Sequence, residues 1–465
     1  MLMNIDPIKA LLEYASYASV STDPSYQLGL EKARNFVVDQ LTKIGFNIEL
    51  VETPLHPLIL ASRVKNPAWP HIMFYAHYDV QPADPFELWK SKPFEPEVRD
   101  GYIYGRGVTD NKGPFIVQLT ALSQVLQKNP DIPLNLTFLI EGEEEIGSPS
   151  FPAFLETYKE RLQQADVLII SDTTSPNAQQ IVITTSLRGI IGMDIEVTGP
   201  KCDLHSGLYG GPIYNPLQAL CEICASLHHP DGRVNVPGFY DTVSLPEEWE
   251  RHELKKYPIN EKDLQSFLNI PSFHSPQGYT PLESIRFAPT LEFNGIGGGY
   301  QGQGAKTIIP SKAFAKITCR LVSNQDPDDI RKKVTQTIEN RAPKGVHVKI
   351  TQHDGGEPYL IIPPHKSNSP KPYPKILQQV FDTTEKSITE IFGTPPIYLR
   401  EGGSIPIIGK IKKTTGLDSI LIGLALSTDN MHAPNESFSL QMMEKGIKLY
   451  QKILEDFAIN FSARY

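Results

Sequence analysis

The chain has 465 residues, 40% of them hydrophobic and 21% charged, with a formal net charge of −9. That length exceeds one ordinary core, so two or three domains are expected, and the composition excludes wholesale disorder. The acidic excess argues against nucleic acid or an anionic membrane as partner, since both need positive fields, and it leaves small molecules, peptides and metal cations.

Taken in chain order, residues 28–44 place Leu30, Ala33, Val37, Leu41 and Ile44 on one helical face. Three short apolar runs follow at 71–76, 134–140 and 165–170, with a helix from Pro114 to about Leu126 between the first two, entered through a proline that a first helical turn tolerates. Apolar strands separated by helices predict a largely parallel sheet covered on both faces. Near Thr185 the character changes. Residues 190–197 alternate, a helix is expected from about Pro216 to Leu227, and the stretch from Pro230 to Pro289 is rich in proline and charge. Alternating strands return at 313–321 and 346–351 around a helical 327–339, which reads as a small α+β unit. The apolar run 419–426 and a final helix of about 442–457 resume the first style. The expected architecture is one α/β domain, residues 1–186 and 398–465, interrupted by an inserted α+β domain at 187–397.

The four cysteines, crowded between Cys202 and Cys319, form no disulfide framework and suit a reducing compartment. Asp6, Lys9 and Glu13 break the apolar core that a signal peptide would need, and no apolar run approaches the roughly 18–20 residues of a membrane span. A cytoplasmic location is expected.

Each strand of the first domain runs into residues that bind metal or move protons: His77-Tyr78-Asp79, then Glu141-Gly142-Glu143-Glu144-Glu145, then Ser171-Asp172, and late in the chain Asp429-Asn430-Met431-His432. Ligand sites of open parallel sheets lie beyond the carboxyl ends of the strands, so these endings, with Asp110 just before a helix, are expected to converge on one crevice. Singly, each motif is more often surface polarity or a solvated acidic loop; occurring together at successive strand ends, they point to a metal site. Imidazole and carboxylate suit zinc, manganese or cobalt, and a carboxylate such as Asp110 can bridge two divalent ions. Such a pair polarises a carbonyl and acidifies a shared water, while one of two adjacent glutamates stays free to take the proton. Asp79 is placed to accept the other ring N–H of His77.

Together FYAHYDVQP, GRGVTDNKGP, EGEEEIGS, ISD, DLHSG, GAKTIIPSKA and REGGSIP resemble the signature blocks of the M20 metallopeptidase family, most of all its cytosolic nonspecific dipeptidase and carnosinase branch. The resemblance runs in family order from about residue 74 to His432. It implies an α/β catalytic domain with an inserted lid that also dimerises, and cleavage of dipeptides or short peptides. By position, His77 and Asp172 resemble the ligands of one ion, Glu145 and His432 those of the other, and Asp110 the bridge. Glu144 resembles the general base, and Asp79 the residue that orients the ligand His77. His205 resembles a lid histidine that reaches the partner subunit's site to stabilise the oxyanion. Thr307, Arg320 and Ser404 match substrate-binding positions, with Arg320 suited to a terminal carboxylate. The rival readings are an N-acyl-amino-acid amidohydrolase using the same ions, and a metal- or peptide-binding protein without catalysis.

Three other motifs are set aside. Cys221 and Cys224 lie on a helix-like stretch and read as packing residues. The glycine-rich run before Lys306 lacks the phosphate-loop spacing and precedes a strand where a helix should begin. Arg188, between Leu187 and Gly189, reads as hinge punctuation.

Overall fold

The computed structural model describes residues 5–353, 355–367 and 373–462. Its centre is a sheet of nine strands. Asn135–Glu141, His71–His77, Val167–Ile170 and Ser419–Ile422 run parallel to one another at its centre. Leu58–Arg63 and then Asn47–Val51 add antiparallel strands on one side. Val182–Leu187 closes the other side antiparallel to Ser419–Ile422 and pairs in turn with Tyr359–Leu360 and Ile397–Arg400. The central runs are mostly apolar because both faces are covered: every residue of His71–His77 and Asn135–Glu141 is buried. The helix Gly113–Lys128 is buried almost all round, and the final helix Leu440–Ser462 packs on it closely enough that a Cβ at Gly446 would stand 3.0 Å from Val117 Cγ1.

The inserted unit has its own antiparallel sheet, ordered Thr290–Gly298, Lys312–Leu321, Gly189–Thr198 and His347–Gln352. Strict alternation turns Ile191, Met193, Ile195 and Val197, with Ala313, Ala315, Ile317 and Cys319, onto helices Pro216–Ser226 and Pro327–Arg341, forming a separate core. Asn215 and Asp326 cap those helices through backbone N–H groups. Cys224 joins this core, and all four cysteines are free. The strand Lys312–Leu321 stands where a phosphate loop would require a helix.

The expected end of the insertion at 397 comes too late for the packing. Tyr359 and Ile361 already lie in the first core, and the helix Lys375–Phe392 contributes Leu377, Val380, Phe381 and Ile388 to it. The chain therefore rejoins the large domain near residue 359. The proline-rich stretch forms short helices, Glu248–Leu254, Glu261–Leu268 and Pro281–Phe287. Leu254 and Phe287 close over Val182, Ile397 and Leu399, and a buried Arg400–Glu250 pair, with bonds of 2.6 and 2.9 Å, fastens this cover to the sheet edge. Among the described residues no helix is long and apolar enough to cross a membrane.

Candidate metal centre and active site

The strand endings do converge. His77 closes its strand opposite Glu141, and its Nε2 lies 3.0 Å from Asp110 Oδ1 and 3.8 Å from Asp172 Oδ2. The other oxygen of Asp110 lies 2.8 Å from His432 Nε2, which is 3.4 Å from Glu145 Oε2. Two three-residue sets result, His77–Asp110–Asp172 and Asp110–Glu145–His432, each with donor atoms within 4.8 Å of one another and Asp110 common to both. The His77 side chain is fully buried, whereas that of His432 is 51% exposed, so the second set faces solvent.

Neighbouring groups hold four of the five donor residues. Asn111 Nδ2 donates to Asp172 Oδ1 at 2.9 Å, and Gln81 Nε2 donates to Glu145 Oε2 at 2.8 Å. Glu436, buried, accepts from the backbone N–H groups of Gly107, Thr109 and Asp110 and pairs with Arg106, so the loop bearing the shared carboxylate is tied down from the far end of the chain. Asp79 does more than expected of it. The Nδ1 of His77 lies closer to the Asp79 carbonyl, 3.0 Å, than to its carboxylate, 3.4 Å. The carboxylate instead accepts from the N–H groups of Glu144 and Glu145 and from Ser21 Oγ. Either acceptor leaves Nε2 free for a cation. Gly142 is required where it stands, because a Cβ would fall 2.2 Å from the Tyr78 ring.

The acidic run thus divides its labour. Glu141 is buried against Tyr75 Oη, and burial pushes it up to about 8. Glu143 gathers His56, Thr53 and Ser150 around the loop. Glu145 enters a donor set, and Glu144 stands beside both sets and in neither. Sequence reasoning missed Glu143, Glu436, Asn111 and Gln81; their only signal is polarity, which does not distinguish them from surface residues.

Electrostatics match a cation site. Burial, then the Asp110 charge, pushes Asp172 up to about 7, and the same two causes raise Glu145. Burial alone would raise Asp110 as well, but hydrogen bonds from His432 and His77 hold it below the usual carboxylate range. Bonds to Asp110 and Glu145 lift His432 to about 10. Acids this crowded ionise together only beside concentrated positive charge, and N/O donors in two sets sharing a carboxylate fit a pair of divalent cations.

The sequence matches peptidase family M20/M25/M40 over residues 73–456. The chain belongs to that family. It is 29% identical to the Cys-Gly metallodipeptidase dug1 of Schizosaccharomyces pombe, covering 97% of this chain and 95% of that one. It is equally 29% identical to the human Beta-Ala-His dipeptidase, covering 97% and 90%. Among solved structures it resembles an M20 family metallo-carboxypeptidase, Sso-CP2 from Sulfolobus solfataricus, with TM-score 0.85 and 28% identity over 98% of this chain and 100% of that one. It also resembles human carnosine dipeptidase 1, with TM-score 0.79 and 27% identity over 98% and 96%.

In this M20 chain the other candidate residues belong to neither donor set. Ser404 follows the edge strand Ile397–Arg400, and its hydroxyl accepts from Arg320 Nη1 at 2.8 Å. Those two are together. His205 and Thr307 sit elsewhere on the lid, on neighbouring segments joined by Ser206 N–H donating to the Thr307 carbonyl. Both are exposed, and His205 Nδ1 accepts only from Gly207 N–H, with no bond to the donor sets among the described residues.

Proposed function

We propose that this protein hydrolyses dipeptides in a metal-dependent reaction, with zinc in both cation positions and manganese or cobalt as alternatives. The observation that carries the reading is the pair of donor sets sharing Asp110, with a further acid, Glu144, free beside them. Two divalent cations held there polarise a carbonyl and acidify water. Glu144 takes the proton of the attacking water at a carboxylate oxygen and delivers it to the departing nitrogen. Asp79 positions this acid through the backbone of residues 144 and 145. Arg320 pairs with the substrate's terminal carboxylate, and Ser404 and Thr307 complete the contacts.

His205 acts from a second copy, donating to the carbonyl oxygen as it gains charge. Its exposure supports this, as do Phe293, Ile296 and Phe314, apolar and open on the lid sheet, which suit a homodimer through that face. Four free cysteines support a cytoplasmic location.

The test is a panel of dipeptides and of N-acetyl and N-succinyl amino acids, run on apo protein reloaded with each metal. Dipeptide cleavage is expected; cleavage of the acylated compounds alone would replace the reading with amidohydrolase activity. Glu144→Ala is expected to lose at least about 10³-fold in kcat while elemental analysis finds metal content unchanged. Turnover retained in that variant removes Glu144 from its role.

A further inference from the structure

Arg188 is the residue at which the chain leaves the large sheet for the lid, between strands Val182–Leu187 and Gly189–Thr198. A hinge needs no particular side chain, yet this one is committed chiefly to one loop, with a longer bond of 3.5 Å from Nη1 to the Ala288 carbonyl. Its backbone N–H donates to the Gly403 carbonyl at 3.1 Å, and its Nε donates to the Gly402 carbonyl at 2.7 Å. Its own carbonyl accepts from the Ser404 hydroxyl. That hydroxyl also accepts from Arg320 Nη1 at 2.8 Å, so one oxygen joins the two arginines. The fit is tight: a Cβ on Gly402 would stand 2.9 Å from the Ile285 carbonyl and 3.3 Å from Arg188 Nη2. Both guanidinium groups line one cavity of about 640 Å³, beside His228, Thr318 and Ser284. Glu292 lines the same cavity and offsets part of the repulsion between the two arginines, and a carboxylate bound between them would offset more of it.

We infer that Arg188 is a positioning residue for recognition of the substrate's terminal carboxylate: it fixes the loop of residues 402–404 and, through the Ser404 hydroxyl, the guanidinium of Arg320. The inference rests on the carboxylate role proposed for Arg320. Arg188 also lies at the joint between the domains, so the same bonds set the seat of the lid's substrate arginine relative to the large sheet.

The test compares a dipeptide with its C-terminal amide on the metal-loaded, full-length enzyme. Arg188→Gln is expected to raise KM for the free acid at least tenfold with kcat within about threefold, and to cut the acid-over-amide ratio of kcat/KM by tenfold or more. Arg188→Lys, which restores the charge on one nitrogen but not the planar fork, recovers part of that ratio. Arg320→Gln shows the same signature, and the double variant is no worse than either single one, because both act through one contact. Equal losses on acid and amide, or losses that multiply in the double variant, overturn the inference. Should Arg188→Gln fail to fold, Ser404→Ala, which removes the joining hydroxyl together with the substrate contact proposed for it, must reproduce the lost acid-over-amide ratio; an unchanged ratio there overturns the inference as well. A wild-type enzyme that cleaves neither compound, nor any dipeptide of the panel, overturns the dipeptidase reading and this inference with it, whereas cleavage without the coupling overturns this inference alone.

Discussion

His77 and Asp110 lie buried and Asp172 half-buried at the ends of parallel strands or the loops beside them, each held by a second side chain or backbone group before any ligand arrives. On the lid, His205 and Thr307 stand exposed on short segments, and neither bonds a side chain of the large domain among the described residues. The first region draws all its donors from one chain and is tied down; the second carries exposed groups without such ties among the described residues. Preorganisation matters most where charge is concentrated, since crowded carboxylates spring apart unless fixed, whereas a group that meets the substrate on closure is best left free to move.

Removing the shared ligand should break the first region outright. Asp110→Ala is expected to leave less than one bound metal per chain by elemental analysis and to lower kcat/KM by at least about 10⁴-fold; two metals retained would show that the donor sets are independent. Glu436→Gln comes next, because it leaves Arg106 without its charged partner in the interior. Breaking a buried pair costs about 3–5 kcal/mol, so the melting temperature should drop by several degrees and metal affinity by about 10–100-fold. His205→Ala sharpens the contrast from the other side. It should cost about 10²–10³-fold in kcat with metal content and melting temperature unchanged, and mixing it with Glu144→Ala protein should restore some activity if each site borrows its histidine from the other chain. Phe314→Asp has the smallest expected effect on folding, since that ring is 46% exposed. Sedimentation should show a weakened dimer, and a species unchanged in mass would remove this face from the interface.

Much of this was legible in the sequence wherever local pattern and chemistry coincide. Apolar runs ending in His77, Glu141 and Asp172 fixed the strand ends, and strict alternation at 190–197 and 313–321 marked the lid sheet. The end of the insertion was misplaced because Thr383, Thr384 and Ser387 are buried in the helix Lys375–Phe392 and blur its apolar stripe, so a helix of the first core looked like part of the lid. Leu58–Arg63 escaped notice as a strand because Ser62 and Arg63 interrupt its apolar run. Arg188 was passed over as punctuation because its partners lie 100 to 216 positions away. Asp79 was assigned to His77 by proximity in sequence, while its carboxylate is spent chiefly on two amides some 65 residues on.

The reach of Glu436 to the amide of Asp110 spans 326 positions. Synthesis proceeds from the other end, and domains fold as their residues emerge. A growing polypeptide therefore carries the first imidazole and its acids long before the clasp that seats the bridge exists, and His432 is made only four residues ahead of that clasp. Competence to cut peptides thus waits until residue 436 has been made, and a product truncated upstream of it lacks this clasp.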